Sequence, residues 1–358
     1  MKTIRVKAKG SVDYEVIIGR QLLDDVNSEL GPMVRKVLLV YPEPLETSAA
    51  ALADNLTSHD KEVWQFPVAD GEAAKTDRWL SIAWSSLGQA GFSRSDAVVS
   101  LGGGSTTDLA GFIASTWLRG IPVLHIPTTL LAMADASIGG KTGINTLEGK
   151  NLVGAFYDPK AVLIDLDTLA TLPKVELGSG FAEIVKCGFI ADPEILDIIE
   201  SNPAASVDPS SELFAELVRR AVEVKVNVVS QDFKESSLRE ILNYGHTLGH
   251  SIELVEHFKM KHGHAVSIGM CFSAELARLS GKLSDEKADR HKQILTLLGL
   301  PTTYPADRWQ SLYQGMKIDK KSRAGILRFI VLEDFGKPTV LEAPTEDLLF
   351  QAFQEITS

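Results

Sequence analysis

The sequence predicts an α/β amino-terminal half built on a parallel sheet, followed by a mainly α-helical half. A change of pattern near residue 175 carries that reading. Before it, short β-branched runs alternate with helix-length segments, as in strands covered on both faces by helices. After it, long stretches place apolar residues at helical spacing. The division is expected between residues 1–174 and 175–358, each long enough to bury a core of its own.

Taken in order, residues 1–7 alternate charge and apolarity like a half-buried strand. Residues 36–40, 97–101, 123–126 and 162–165 are the β-branched runs expected to form buried parallel strands. In the second half, residues 213–229 and 265–279 carry helical stripes, and residues 327–332 read as a late strand. Leu348, Leu349, Ala352, Phe353 and Ile356 mark one packed face of a closing helix. No repeats or low-complexity linkers interrupt this pattern.

Composition narrows the partners. A formal net charge of −11 argues against nucleic acid or an anionic membrane, because counterion-release binding needs a basic face. No apolar run is long enough to span a bilayer, and no apolar leader follows the first strand. Cys187 and Cys271 are far apart in apolar context, which fits buried, inert thiols in a reducing compartment. A cytoplasmic protein acting on a small molecule is expected.

Two glycine-rich stretches point to anion binding. Gly102-Gly103-Gly104-Ser105-Thr106-Thr107-Asp108 ends a strand and opens a helix, where backbone approaches a pyrophosphate closely and free N–H groups meet it. This is a Rossmann-like cradle without the G-x-G-x-x-G spacing, and a plain tight turn has the same composition. Thr128 and Thr129 offer hydroxyls to ribose or phosphate, or cap the helix that starts there. Further on, Lys141 and Lys150 lie beside glycines and Asn151, as donors to an anion or as solvated loop lysines. Gly139-Gly140-Lys141-Thr142 is not a phosphate-binding P-loop, since Asp135 stands where that motif needs its first glycine.

Four of the eight histidines, His246, His250, His262 and His264, fall close together. In a helix, His246 and His250 project from one face as i and i+4. Imidazole suits zinc and its neighbours, and a catalytic metal site usually takes three protein ligands, so an acidic partner is wanted. The competing reading is a helix with satisfied histidines.

Together these segments resemble a known family. Gly102-Gly103-Gly104 with Asp108-Leu109-Ala110-Gly111-Phe112, Pro127-Thr128-Thr129-Leu130, Gly139-Gly140-Lys141-Thr142-Gly143, Gly149-Lys150-Asn151, Ala182-Glu183-Ile184-Val185-Lys186, Asn243-Tyr244-Gly245-His246 and Asp319-Lys320-Lys321 stand in the order of 3-dehydroquinate synthases. The resemblance implies an enzyme dependent on NAD and a divalent metal, zinc or cobalt. Its reaction would convert 3-deoxy-D-arabino-heptulosonate 7-phosphate to 3-dehydroquinate and phosphate in the shikimate pathway, by transient oxidation, phosphate elimination, re-reduction and intramolecular aldol closure. NAD is regenerated in each turnover.

The resemblance assigns residues. It implies metal ligands at Glu183, His246 and His262, which supplies the acidic partner. For NAD it implies Asp70, Gly71, Glu72, Lys75, Gly103, Gly104, Asp108, Thr128, Thr129, Lys141, Lys150, Thr168 and Thr171. Substrate contacts fall on Lys141, Asn151, Lys225, Arg239, Asn243 and Lys321, with Arg119 reaching the phosphate from the neighbouring subunit of a homodimer. His250, Lys186, Glu235 and Asp135 are the implied catalytic residues.

Departures and rivals remain. Ser105-Thr106-Thr107 replaces a run that contains glycine in the family, and His264 stands where the family often has Glu, leaving a spare imidazole near the metal. Tyr41-Pro42-Glu43-Pro44 gives no clear match to the family's adenosine contact. Other sugar phosphate cyclases and metal-dependent polyol or glycerol-phosphate dehydrogenases share the architecture. Arg239 with Lys225 and Asn243 favours a carboxylate-bearing substrate, and the lysines exceed what a neutral polyol needs.

Overall fold

The computed structural model describes residues 4–8, 13–233, 238–320 and 327–358, with backbone alone at 4–8 and 318–320. Glu235 and Lys321, singled out above, lie outside the described residues. The chain divides into two compact units, Met1–Leu172 with Lys225–Lys234, and Pro173–Val224 with Glu235–Ser358.

The first unit is built on β1 (Ile4–Ala8), β2 (Tyr14–Gly19), β3 (Lys36–Pro42), β4 (Glu62–Val68), β5 (Ala97–Gly102), β6 (Val123–Pro127), β7 (Lys141–Thr146), β8 (Gly149–Phe156) and β9 (Ala161–Asp165). Seven of them form one sheet in the order β1-β2-β9-β6-β5-β3-β4. Only the β1–β2 pair in that sheet is antiparallel.

Side chains alternate across this sheet, so each apolar run feeds two cores. Val37, Leu39, Val99 and Leu101 pack on one face with Ala49, Leu52 and Leu56 of the helix Glu46–Ser58. Leu38, Val40 and Val98 pack on the other with Leu80 and Leu87 of Asp77–Gln89 and Leu109 and Ile113 of Gly104–Thr116. Burial on both faces is why these strands read as unbroken β-branched runs. The edge strand β4 escapes that pattern, because Glu62 and Gln65 sit exposed at its rim.

The glycine- and lysine-rich stretch after Asp135 is a hairpin. β7 and β8 pair antiparallel, with Gly143 opposite Gly154. A Cβ on Gly154 would fall 2.1 Å from the Thr142 carbonyl oxygen, so glycine is what lets the two strands approach.

The second unit centres on the helix His262–Leu279, which packs against Lys174–Ile190, His246–Val255, Asp285–Leu297 and Glu346–Gln354. It also packs on β10 (Arg328–Asp334), the late strand, which forms a hairpin with β11 (Lys337–Glu342). The helix Glu212–Gln231 belongs to the second unit through Val224 and to the first from Lys225. Cys187 and Cys271 are buried, and neither forms a disulfide among the described residues. Among the described residues, no helix is long and apolar enough to cross a membrane.

Candidate active site

Three elements of the second unit bring Glu183, His246 and His262 together. Glu183 lies within Lys174–Ile190, while His246 and His262 each begin a helix. Each offers a ligand atom, and the three atoms lie within 4.8 Å of one another. The Nε2 atoms of His246 and His262 stand 3.7 and 3.6 Å from Glu183 Oε1.

Hydrogen bonds behind the rings fix which nitrogen faces inward. His246 Nδ1 lies 3.1 Å from the Tyr244 carbonyl oxygen, which only accepts, so Nδ1 carries the proton and Nε2 keeps its lone pair. His262 Nδ1 donates to Glu253 Oε2 at 3.1 Å, the carboxylate–histidine arrangement that orients metal ligands.

Charge follows from burial and neighbours. Burial holds His246 well below the usual histidine range, and Lys186 adds to the effect. Burial also acts to lower His262, yet hydrogen bonds to Glu183 and Glu253 outweigh it and raise that imidazole to about 10. The His262 imidazolium and the Lys186 ammonium, paired with Glu183, thus supply positive charge to the carboxylates. A divalent cation would displace the imidazole proton on binding. One carboxylate and two inward-facing imidazoles with open positions left over suit zinc or cobalt.

Other expected residues surround this trio. His250 lies one turn beyond His246, its ring 5.2 Å from that of His246 and 6.1 Å from that of His262. His250, Glu253 and His262 form a second group of ligand-type atoms within 4.8 Å. Arg239 is buried at 2% exposure on the short turn of helix Leu238–Asn243, which Asn243 ends. His264 belongs to neither group; its charge environment is Glu176 and Lys261, and its Nε2 would stand 3.9 Å from a Cβ placed on Gly178.

In the first unit, β5 ends in the glycine turn and Gly103 caps the helix Gly104–Thr116 without any side-chain hydrogen bond. Thr106 N and Thr107 N both turn back onto the Gly103 carbonyl oxygen, at 3.0 and 3.1 Å. Nearby, Lys75 is buried and bonds Asp108 Oδ2 at 2.6 Å and the Asn151 side-chain oxygen. Burial raises Asp108 to about 6 against the opposing pull of Lys75. Asn145, which the sequence reading passed over, joins them by donating to Glu72 Oε2 at 2.7 Å and to the Lys75 carbonyl oxygen at 2.9 Å.

The remaining expected positions divide by what their side chains do. Asp70 and Gly71 open an exposed turn of helix, and Lys141 is exposed while Lys150 is half-buried. Thr129 accepts from Ala132 N at 3.2 Å, the capping role left open by sequence, and Thr128 N donates to the Gly102 carbonyl oxygen. Thr168 closes its own turn onto the Asp165 carbonyl oxygen, and Thr171 ends that turn. Asp135 lies on the wide helical turn Ala132–Ala136 and pairs with Lys225. Arg119 is exposed at φ 67, directly after Leu118 at φ 49.

The missed partner Glu253 carried a signal of its own. Residues 246, 250 and 253 share one helix face, so a carboxylate three places after His250 already pointed toward the cluster.

Comparison with known proteins decides the family. Residues 65–179 match the amino-terminal domain of 3-dehydroquinate synthase and residues 180–322 match its carboxy-terminal domain. The chain belongs to the 3-dehydroquinate synthase family. A 3-dehydroquinate synthase of Paenarthrobacter aurescens strain TC1 is 57% identical over 97% of this chain and 95% of its own length. Its counterpart in Streptomyces coelicolor is 52% identical over 97% and 96% of the two chains.

Solved structures place this family member among sugar phosphate cyclases. A 2-epi-5-epi-valiolone synthase from Streptomyces hygroscopicus subsp. jinggangensis 5008, with NAD+ and Zn2+ bound, superposes with a TM-score of 0.89 at 29% identity, covering 99% of both chains. A 2-deoxy-scyllo-inosose synthase complexed with carbaglucose-6-phosphate, NAD+ and Co2+ gives 0.88 at 25%, over 98% of this chain and 100% of that one. A probable glycerol dehydrogenase from Sinorhizobium meliloti 1021, at 15% identity and a TM-score of 0.66, shares the fold alone.

Proposed function

We propose that this member of the family converts 3-deoxy-D-arabino-heptulosonate 7-phosphate to 3-dehydroquinate and phosphate, as an NAD-dependent and divalent-metal-dependent lyase of the shikimate pathway. The observation that carries the metal assignment is the Glu183, His246 and His262 trio, in which both imidazoles present Nε2 toward the carboxylate. When bound, NAD supplies a reversible hydride acceptor and the zinc or cobalt ion a Lewis acid that acidifies a hydroxyl.

The chain's own residues do the rest. In the second unit, the guanidinium of Arg239, with Asn243 beside it, suits bidentate binding of the substrate carboxylate. His250 is exposed beside the ligand trio, where an imidazole moves hydroxyl protons at working pH. Lys186, buried against Glu183, fixes that carboxylate and supplies a proton donor. In the first unit, the glycine turn and helix amino terminus suit the NAD pyrophosphate, and the Glu72, Lys75, Asp108 and Asn151 network holds the polar groups beside it. Lys141, Lys150 and the Asp135–Lys225 pair offer donors suited to an anionic, hydroxyl-bearing substrate. Thr168 and Thr171 are assigned to NAD by the family pattern, as are Asp70, Gly71, Thr128 and Thr129. Glu235 and Lys321 keep their family roles in proton transfer and phosphate binding.

The working enzyme is a cytoplasmic homodimer in this reading. Leu118 and Arg119 are adjacent non-glycine residues in the left-handed region, a conformation that costs free energy and recurs at functional sites. Trp117 Nε1 bonds the Phe92 carbonyl oxygen at 3.3 Å and holds the turn. Exposed Leu147, Leu152 and Val153 on the β7–β8 hairpin add apolar surface of the kind a second copy covers.

The test is turnover of the heptulosonate phosphate with zinc or cobalt and substoichiometric NAD. Phosphate release in excess of NAD, without NADH accumulation, is expected. Stoichiometric NADH would indicate a dehydrogenase, and turnover only of sugar phosphates lacking a carboxylate would indicate another cyclase.

A further inference from the structure

His291 is a fully buried residue of the helix Asp285–Leu297, and it is joined by hydrogen bonds to the line of residues that ends in His246. Its Nδ1 donates to the Lys287 carbonyl oxygen at 2.9 Å, which leaves Nε2 as an acceptor. The Tyr244 hydroxyl donates to that Nε2 at 2.8 Å; the Met270 carbonyl oxygen, at 3.5 Å, is a much poorer alternative. The carbonyl oxygen of the same Tyr244 accepts from His246 Nδ1.

The geometry gives Tyr244 little freedom. Its ring is fully buried, and Phe189 stacks on His291 at 3.8 Å with the planes 15° apart. Next to it, Gly245 sits at φ +79, and a Cβ there would meet Met270 N and the Val266 carbonyl oxygen at 2.8 Å. The turn that delivers His246 therefore lies hard against the helix His262–Leu279. The hydroxyl bond anchors the far end of the Tyr244 ring, and this buried anchor holds in place the Tyr244 backbone, whose carbonyl oxygen sets the His246 tautomer. Burial pushes His291 down to about 4, so it stays a neutral acceptor at working pH.

We propose that His291 and Tyr244 are positioning residues for His246, holding its imidazole at the angle and tautomer that a divalent cation requires. This rests on the reading of Glu183, His246 and His262 as the metal ligands. A core that needed only apolar packing here would take Phe and Leu at lower desolvation cost; a paired hydroxyl and imidazole add a defined orientation instead.

The test uses the full chain stripped of metal, with Co2+ affinity measured by competition against a chromophoric chelator, the bound-cobalt absorption band as a signature of ligand geometry, and thermal unfolding of the metal-free protein. Tyr244→Phe removes one oxygen and leaves the fold intact, while His291→Phe keeps a ring to stack on Phe189. Each is expected to weaken Co2+ binding by about threefold to tenfold, below the roughly 10–100-fold typical of a direct partner of a ligand, and to alter the cobalt band. The double variant should bind no more weakly than the worse single one. His291→Gln, whose amide oxygen accepts from the Tyr244 hydroxyl, should recover most of the loss. Parental Co2+ affinity in both Phe variants, with only the unfolding temperature lowered, would overturn the inference and reduce the pair to core packing. Equal losses in His291→Gln and His291→Phe would overturn it too, by tracing the effect to ring packing. His246→Ala is the separate control: if it binds Co2+ like the parent, the metal assignment itself fails.

Discussion

Glu253 Oε2 lies 3.1 Å from His262 Nδ1, and the opposite nitrogen of the same ring stands 3.6 Å from Glu183. The imidazole is therefore held between two carboxylates, one in a position to orient it and the other to share a cation with it. Glu253→Ala should lower metal affinity by roughly 10–100-fold while the metal-free fold survives, measured by metal titration and thermal unfolding. Unchanged affinity would show that Glu253 does not orient the ligand.

Removing a ligand is a harsher change. His246→Ala should lose metal on elemental analysis together with turnover, at least as severely as the roughly 10–100-fold loss from a secondary partner. A variant with full metal and full turnover would exclude the assignment.

The limits of the sequence show in the same residues. Glu183 was legible only through its motif, because its helix is buried without a break from Ser179 to Ile190 and no helical or strand period relates position 183 to the histidines. His246 and His250 were legible from spacing alone, since a helix makes i and i+4 neighbours. The contact of Lys75 with Asn151 was not, because it depends on the β7–β8 hairpin, whose glycines read as loop until two strands are seen to approach through them. Likewise the helix Glu212–Gln231 changes units at Lys225 with no break in composition. The Tyr244–His291 bond joins residues that no local pattern connects.

Arg239 tests the substrate. Arg239→Lys keeps the charge and loses the planar fork, so kcat/KM for the heptulosonate phosphate should fall clearly while NAD affinity stays nearly constant. Parallel loss of both would mean that the substitution disturbs the fold, and no loss in either would move the carboxylate site elsewhere.

Acid should destabilise the metal-free protein through buried imidazoles. Burial lowers His125 and His291 to about 4 from an unfolded value near 6.5, so below pH 6.5 the unfolded chain binds protons that the folded chain refuses. Stability is then full above pH 6.5 and falls toward pH 4, by at most about 3 kcal/mol for each group. His246, also lowered, acts in the same direction. Asp108 opposes them, since its carboxyl is raised to about 6 and the folded state gains protons there as pH falls below 6. His262, raised to about 10, contributes fully below pH 6.5 and so leaves this acid window to the others, and the lowered histidines outweigh Asp108 to give a net loss on acidification. In urea titrations between pH 7 and pH 4, His291→Phe should flatten the profile; an unchanged slope would remove His291 from the account.

The homodimer reading turns on Arg119, an exposed residue of a strained turn in an acidic chain whose substrate carries a phosphate. Concentrated local positive charge is what such a substrate needs, and an arginine borrowed from a second copy would couple assembly to catalysis. If Arg119 only faces solvent, Arg119→Ala should leave each subunit active by itself. If it serves the other copy's site, Arg119→Ala dimers are impaired, and mixing them with dimers disabled at Lys186 should restore part of the activity. In the hybrid, one of the two sites has the intact Lys186 of the first subunit and the intact Arg119 of the second. Recovery should follow the hybrid fraction, measured by mass spectrometry of the mixed assembly, and confirmed subunit exchange without any recovery would end the shared-site reading.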